Sequence, residues 1–302
     1  MISAVIHTYN EETNIEDCLS SLNWTDEKIV VDMGSTDKTT QKAKRFGVKV
    51  HTFPYMGFAD PARNFGLEQV KGDWVIVLDA DERISKSLAE FLLQQTQKNT
   101  DIDYFRIPRK NIIFSKWIKH TGWWPDYQIR FFKKGAVSWS NKIHGVPITK
   151  GKGTDLDPIE KLSIIHYNYQ SIEQYLNRLN RYTSIFAKEL FLENQRFLLR
   201  DLFEKPSREF VNRFFVGEGF KDGVHGLALS FLQSFSELIT YLKLWELEKF
   251  REEKISLLDT DKYLGKEYEL KHFWLVDKLL KQSSDLKDKI IWKFKRKFHI
   301  YG

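Results

Sequence analysis

Residues 74–82 read WVIVLDADE. The run from Trp74 to Leu78 is wholly apolar, is β-branched at Val75, Ile76 and Val77, and stops at Asp79 and Asp81. A short apolar run without polar alternation is the pattern of a strand buried on both faces, as in a parallel sheet covered by helices. Upstream of it the pattern predicts strands at 2–7, 28–31 and 48–53, alternating with helices at 14–22, 37–46 and 61–70. Downstream a helix is predicted at 85–97. Strand–helix alternation of this kind builds βαβ units, so the first half is expected to be α/β, a mostly parallel, Rossmann-like sheet flanked by helices.

After residue 100 the pattern changes. Segments 104–114, 127–132, 136–139 and 162–166 read as strands joined by irregular loops, and 151–160 (GKGTDLDPIE) reads as a surface loop. From Ser171 the chain is helical, with helices expected at 171–194, 207–220, 224–250 and 269–298. The plan is therefore an α/β domain over 1–168 and a helical C-terminal region over 169–302. Within the latter, Leu227, Phe231, Phe235, Leu238, Leu242 and Trp245 share one apolar helical face, whose plain reading is packing on the first domain.

The 302 residues are 42% hydrophobic and 29% charged, which excludes wholesale disorder and fibrous repeats. The formal charge is +6, and residues 287–302 alone hold six Lys/Arg against one Asp. The body is thus near neutral, without the basic patch that nucleic-acid binding needs. The single cysteine, Cys18, excludes an intrachain disulfide and reads as a buried small hydrophobe. No signal-peptide pattern opens the chain, and the apolar stretch 224–245 is too interrupted to span a bilayer. A cytoplasmic protein is expected, one that can lie on the inner face of the cell membrane.

In an open parallel sheet, ligands bind beyond the carboxyl ends of the strands. Three strand ends here deliver polar groups to one edge: His7-Thr8-Tyr9-Asn10-Glu11-Glu12, Asp32-Met33-Gly34-Ser35-Thr36-Asp37 and Asp79-Ala80-Asp81-Glu82. Two carboxylates in alternation repel unless a cation stands between them, which points to Mg²⁺ or Mn²⁺ bound together with substrate phosphates. The alternative is that Asp81 or Glu82 merely opens the next helix. Asp32 can accept a hydrogen bond from a nucleobase or ribose, whereas Asp37 reads as a helix-cap residue. Neither GxGxxG, a P-loop, HExxH nor GxSxG is present.

The segments VIHTYNEETNIEDCLSSL, KIVVDMGSTDKT and ARNFGLEQVKGDWVIVLDADE resemble the nucleotide-binding half of the family 2 glycosyltransferases, which have the GT-A fold. With WWPDYQIRFFKKG, HYNYQSIEQYLNRLNRYT and GFKDGVHGLALSFLQSFSELITYLKLWE added, the resemblance is closest to the lipopolysaccharide-core glucosyltransferase-like branch and covers most of 1–250. It implies that Thr8, Tyr9, Asn10, Glu11 and Asp32 line a nucleotide pocket and that Arg63 and Asn64 stand near the donor. It makes Asp79, Ala80 and Asp81 the DxD motif that meets ribose and metal-diphosphate. It puts Asp126 where an acceptor-activating carboxylate is expected, just before Gln128 and Arg130. Two departures stand out. Met33 replaces a second Asp, which leaves the base identity open, and Gly145 follows His144 where close relatives often carry Glu.

These roles imply an inverting transfer of a hexose from a nucleotide diphosphate sugar, UDP-linked by preference, to a hydroxyl of a glycan or lipid-linked acceptor. Asp126 is the expected base, against the plainer reading of an exposed loop residue. Asp81 and Asp79 are the expected metal ligands, with His144 as a further one. His166 reads as structural. Trp123 and Trp124 suit either sugar stacking or core packing. The C-terminal mixture of Trp292, Phe294 and Phe298 with Lys293, Lys295 and Arg296 suits an anionic membrane surface or a solvated helix. The rival functions are a nucleotidyltransferase, which lacks its triphosphate-binding basic residues here, and a non-catalytic sugar-nucleotide or lipid-binding module.

Overall fold

The computed structural model describes residues 1–55, 60–98, 101–139 and 147–298. They form two compact units, one made of residues 1–113 and 123–168, the other of 114–122 and 169–302.

The first unit opens with β1 (Ile2–Thr8), α1 (Ile15–Ser20), β2 (Glu27–Asp32), α2 (Thr39–Arg45), β3 (Lys49–Thr52), α3 (Asp60–Glu68) and β4 (Trp74–Asp79). Strands β1, β2, β3 and β4 run parallel, with Thr8 in register with Asp32 and His7 with Asp79. The three expected strand ends therefore do share one edge. Then come β5 (Glu82–Ile84), α4 (Lys86–Gln97) and the long β6 (Ile102–Ile113), followed by β7 (Lys116–Trp117), which belongs to the second unit. The first unit resumes with β8 (Asp126–Lys133), β9 (Val137–Ser138), β10 (Ile148–Thr149), β11 (Lys152–Asp155) and β12 (Ile164–Tyr169). The main sheet order is β3-β2-β1-β4-β8-β6-β12-β5, with β8 antiparallel to both β4 and β6.

Both faces of this sheet are apolar, as the unbroken runs require. Ala4, Ile6, Ile76 and Leu78 join one core with Cys18, Leu19 and Leu92, whereas Val5, Val31, Val75 and Val77 join the other. Gly66 of α3 lets that helix lie directly on the sheet, since a Cβ there would stand 2.5 Å from Val5 Cγ1. Trp74 stacks on Phe131 at 4.9 Å and closes the first core at the strand entrance. Cys18 is fully buried, as expected.

The stretch 151–160 is not a loop throughout. Residues Lys152–Asp155 form β11, parallel to β6, and Glu160–Leu162 form a 3₁₀ turn. Its Gly and Lys content hides the strand, but both serve it. Gly153 leaves room for the Tyr104 ring, whose nearest atom would be 2.1 Å from a Cβ, and the Lys152 amide donates to Asp103.

The second unit holds α5 (Ile172–Leu192), α6 (Asp201–Val211), α7 (Val224–Leu247), α8 (Leu257–Gln282) and α9 (Leu286–Phe298). Helix α6 starts earlier than expected and carries Pro206 inside it. The expected helix 269–298 is two helices, α8 and α9. Ser171 and Ser256 cap α5 and α8 by accepting from Gln174 N and Asp259 N. The predicted apolar stripe of α7 is not its buried face: Phe231 and Phe235 are exposed, while Gly226, Leu229, Ser230, Tyr241 and Leu244 are buried. Small residues decide this, because a Cβ at Gly226 would stand 1.8 Å from the Gly219 carbonyl oxygen.

Candidate active site

The site grows from the strand ends of the first unit. Thr8 and Asp32 are buried and lie side by side across β1 and β2. One oxygen of Asp32, Oδ2, accepts from Gly34 N at 3.1 Å and Ser35 N at 3.0 Å, which turns the chain away from the strand. Its other oxygen, Oδ1, and the Thr8 hydroxyl are buried without a hydrogen-bond partner among the described residues. Such groups are costly unless a ligand or water completes them. Tyr9 stacks on Tyr55 at 4.3 Å beside this pair. Asn10 adopts a left-handed backbone (φ 54) and accepts the Thr36 N–H on Oδ1. Glu11 accepts from the Asn14 amide, and its own N–H donates to Thr39. Asn10 and Glu11 thus shape the loop, and Asp37 accepts from the Thr39 and Glu12 N–H groups just ahead of α2, although the N-cap position itself is Lys38 and not Asp37 as expected.

At the end of β4, Asp79 accepts from Arg63 at 3.0 Å and from Arg130 at 2.6 Å. Burial opposes its ionisation, but Arg130 and Arg63 outweigh that and hold its carboxyl well below the usual range. Ala80 is buried, with its N–H on the His7 carbonyl and its own carbonyl accepting from Arg83. His7 beneath it is pushed down to about 3 by burial and by Arg63, and is neutral at physiological pH. Asn64 lies on α3 next to Arg63, but its amide is engaged with the Trp139 backbone in both directions, at 2.7 and 2.9 Å. Its role is to fix that segment.

Neither Asp81 nor Glu82 caps α4, because Ser85 does so through the Leu88 N–H. Asp81 Oδ2 instead faces His166 Nε2 at 3.5 Å. The tautomer of a neutral ring there follows from its neighbours. Asn111 Nδ2 donates to Trp123 O and Asp126 Oδ2, so Asn111 Oδ1 must accept from His166 Nδ1 at 2.6 Å. In the neutral ring, Nε2 then turns its lone pair toward the Asp81 carboxylate. A carboxylate and an imidazole lone pair converging in this way fit a divalent cation that takes its other ligands from a diphosphate. No group of three or more His, Cys, Asp or Glu able to hold a metal occurs among the described residues. His144 lies outside the described residues.

Asp126 opens β8, directly opposite Arg109 of β6. Its Oδ2 accepts from Arg109 Nε (2.9 Å), Arg109 NH2 (2.6 Å) and Asn111 Nδ2 (3.1 Å), and its Oδ1 from Gln128 Nε2 (3.0 Å). Burial would raise its pKa, but Arg109 and the two amides hold it below the usual range. It is an ionised, partly accessible carboxylate on an ordered strand rather than an exposed loop residue. The sequence reading named Glu82 only as a strand exit or helix opener, and did not single out Arg109 or Asn111. The available signal was charge between the apolar residues of 107–113 (IPRKNII), and a third acidic residue directly after the Asp79-Ala80-Asp81 triplet.

Compared with known proteins, residues 3–160 match the family model of glycosyl transferase family 2. An uncharacterized glycosyltransferase of Rickettsia typhi is 31% identical, over 82% of this chain and 87% of the relative. The lipopolysaccharide core biosynthesis glycosyltransferase LpsC of Rhizobium meliloti is 23% identical, over 81% of this chain and 92% of its own. Among solved structures, glucosyl-3-phosphoglycerate synthase from Mycobacterium tuberculosis, in complex with Mn²⁺, UDP and phosphoglyceric acid, matches with a TM-score of 0.32. That match has 27% identity and covers 36% of this chain and 43% of the synthase. The chain belongs to glycosyl transferase family 2 and is a glycosyltransferase. Family membership decides against the nucleotidyltransferase reading. No helix among the described residues is long and apolar enough to cross a membrane.

Proposed function

We propose that this glycosyltransferase is inverting and metal-dependent, and that it moves a hexose from a UDP-sugar to a hydroxyl of a glycan or lipid-linked acceptor in cell-envelope polysaccharide synthesis. The observation that carries this reading is the pairing of a donor-side cluster (Asp79, Asp81, Arg63, Arg130 and His166) with a separate ionised carboxylate, Asp126, on neighbouring strands. Thr8 Oγ1 and Asp32 Oδ1, unmatched within the described residues, supply a hydroxyl and an acceptor for the base or ribose. The similarity to LpsC supports the envelope role.

In a single displacement Asp126 takes the acceptor proton as the hydroxyl attacks the anomeric carbon. Gln128 and Asn111 keep its carboxylate plane fixed during the approach. Arg63 and Arg130 answer the charge developing on the departing diphosphate. Asp81 and His166 are the residues that would hold Mg²⁺ or Mn²⁺, and Asp79, already bound to two guanidiniums, holds those groups in place. The ion, when bound, supplies Lewis-acid neutralisation of the leaving group. A donor panel tests this reading: UDP release is expected from a UDP-hexose, only with a divalent ion present. Release that is unaffected by chelator, or no release from any UDP-sugar, counts against it.

Helix α9 supports a membrane-proximal acceptor. Leu286, Ile290, Ile291 and Phe294 are 76%, 65%, 50% and 54% exposed, and Lys287, Lys289, Lys293 and Lys295 stand among them. Apolar side chains facing water on a basic helix suit the headgroup boundary of an anionic bilayer. The full chain is expected to float with phosphatidylglycerol-containing liposomes and a chain lacking residues 285–302 to stay behind. Equal flotation of the two removes the membrane role.

A further inference from the structure

Glu82 is fully buried and each of its oxygens is engaged. Its Oε1 accepts from Arg130 at 2.8 Å and from Arg109 at 3.3 Å, its Oε2 from the Asp79 N–H at 3.0 Å, and its carbonyl from Arg83 at 2.9 Å. Each neighbouring guanidinium is shared. Arg130 divides its contacts between Asp79 and Glu82, and Arg109 between Glu82 and Asp126. Arg63, Asp79, Arg130, Glu82, Arg109 and Asp126 thus form one ladder of alternating sign across α3, β4, β8, β5 and β6, with three charges of each kind.

We infer that Glu82 is a positioning residue for transfer: it fixes the Arg109 fork, and through that fork the orientation of Asp126. This rests on the reading of Asp126 as the base. Three donors hold Asp126 Oδ2, two of them from Arg109, while Oδ1 takes one and keeps lone-pair capacity for an incoming hydroxyl. That asymmetry lasts only while Arg109 presents Nε and NH2 to the same oxygen. Glu82 enforces this by holding NH1 on the opposite side. A glutamine at 82 puts its NH2 either against the guanidiniums, which opens the link to Arg109, or against the Asp79 N–H, and in both cases the negative charge that holds the fork is lost. Arg130 keeps Asp79 and Arg109 keeps Asp126, so no guanidinium is left without a carboxylate.

A double-mutant cycle tests the inference, with E82Q, D126N and E82Q/D126N assayed for transfer and for UDP binding with Mn²⁺. E82Q is expected to lower kcat at least ~10-fold and by more than it weakens UDP binding, since Glu82 also holds the donor-side Arg130. The double variant is expected to be no slower than D126N, because residues acting as one unit do not add. Full turnover by E82Q, or losses that multiply, overturns the role of Glu82. Wild-type turnover by D126N instead overturns the base assignment on which it rests. Should E82Q fail to fold by circular dichroism, E82D, which keeps the charge but shortens its reach to Arg109, goes through the same cycle with the same expectation. Multiplying losses there overturn the inference equally.

Discussion

Asp126→Asn is expected to abolish transfer while leaving donor binding intact. Asparagine keeps the size of the side chain and one oxygen that can accept from Arg109, but it cannot take a proton from the acceptor hydroxyl. General-base assistance is worth about 10²- to 10⁴-fold, and the loss in kcat should fall in that range. On the proposed reading the donor site depends on Asp32, Asp79 and Asp81 at other strand ends, so the affinity for UDP with Mn²⁺ should change little. Turnover measured with labelled donor, beside calorimetry with UDP, checks both halves. Unchanged turnover would transfer the role to another carboxylate.

The second large effect is expected at Asp81. Asp81→Asn removes the carboxylate that faces His166 Nε2 and leaves Asp79 with its two arginines. Charge neutralisation of a leaving diphosphate is worth several kcal/mol, so kcat/KM should fall by about 10²- to 10³-fold. The half-saturating Mn²⁺ concentration should rise with it, which a metal titration of UDP release measures. His166→Ala should move the same titration in the same direction. A variant that keeps its metal dependence would mean that the ion is held elsewhere.

The α/β half was legible because its signals are local. Runs such as Ile2–Thr8 and Trp74–Asp79 are buried on both faces, and their polar exits mark one sheet edge. The site residues read from those exits lie where the strand order puts them. What stayed hidden depends on pairing between distant segments. Arg109 acquires its meaning only from its register with Asp126, and His166 only from Asn111 and Asp81. His166 reads as structural in the sequence, and the partners that suggest a further role lie 55 and 85 positions away. The stripe of α7 misled for the converse reason. Periodicity finds large apolar side chains, whereas the buried face was selected by Gly226 and Ser230, which let backbones come close.

The concealed strand β11 also bears on how the molecule keeps to itself. One side of β6 is paired with β8, while the other is shared by β12 and β11, the latter covering its first residues from Ile102 to Arg106. Without those four residues the start of a twelve-residue strand would offer a row of bare amides and carbonyls to any passing chain. Lys152–Asp155 works as a selvedge: a plain, glycine-containing hem that stops the cloth from being sewn to its neighbour.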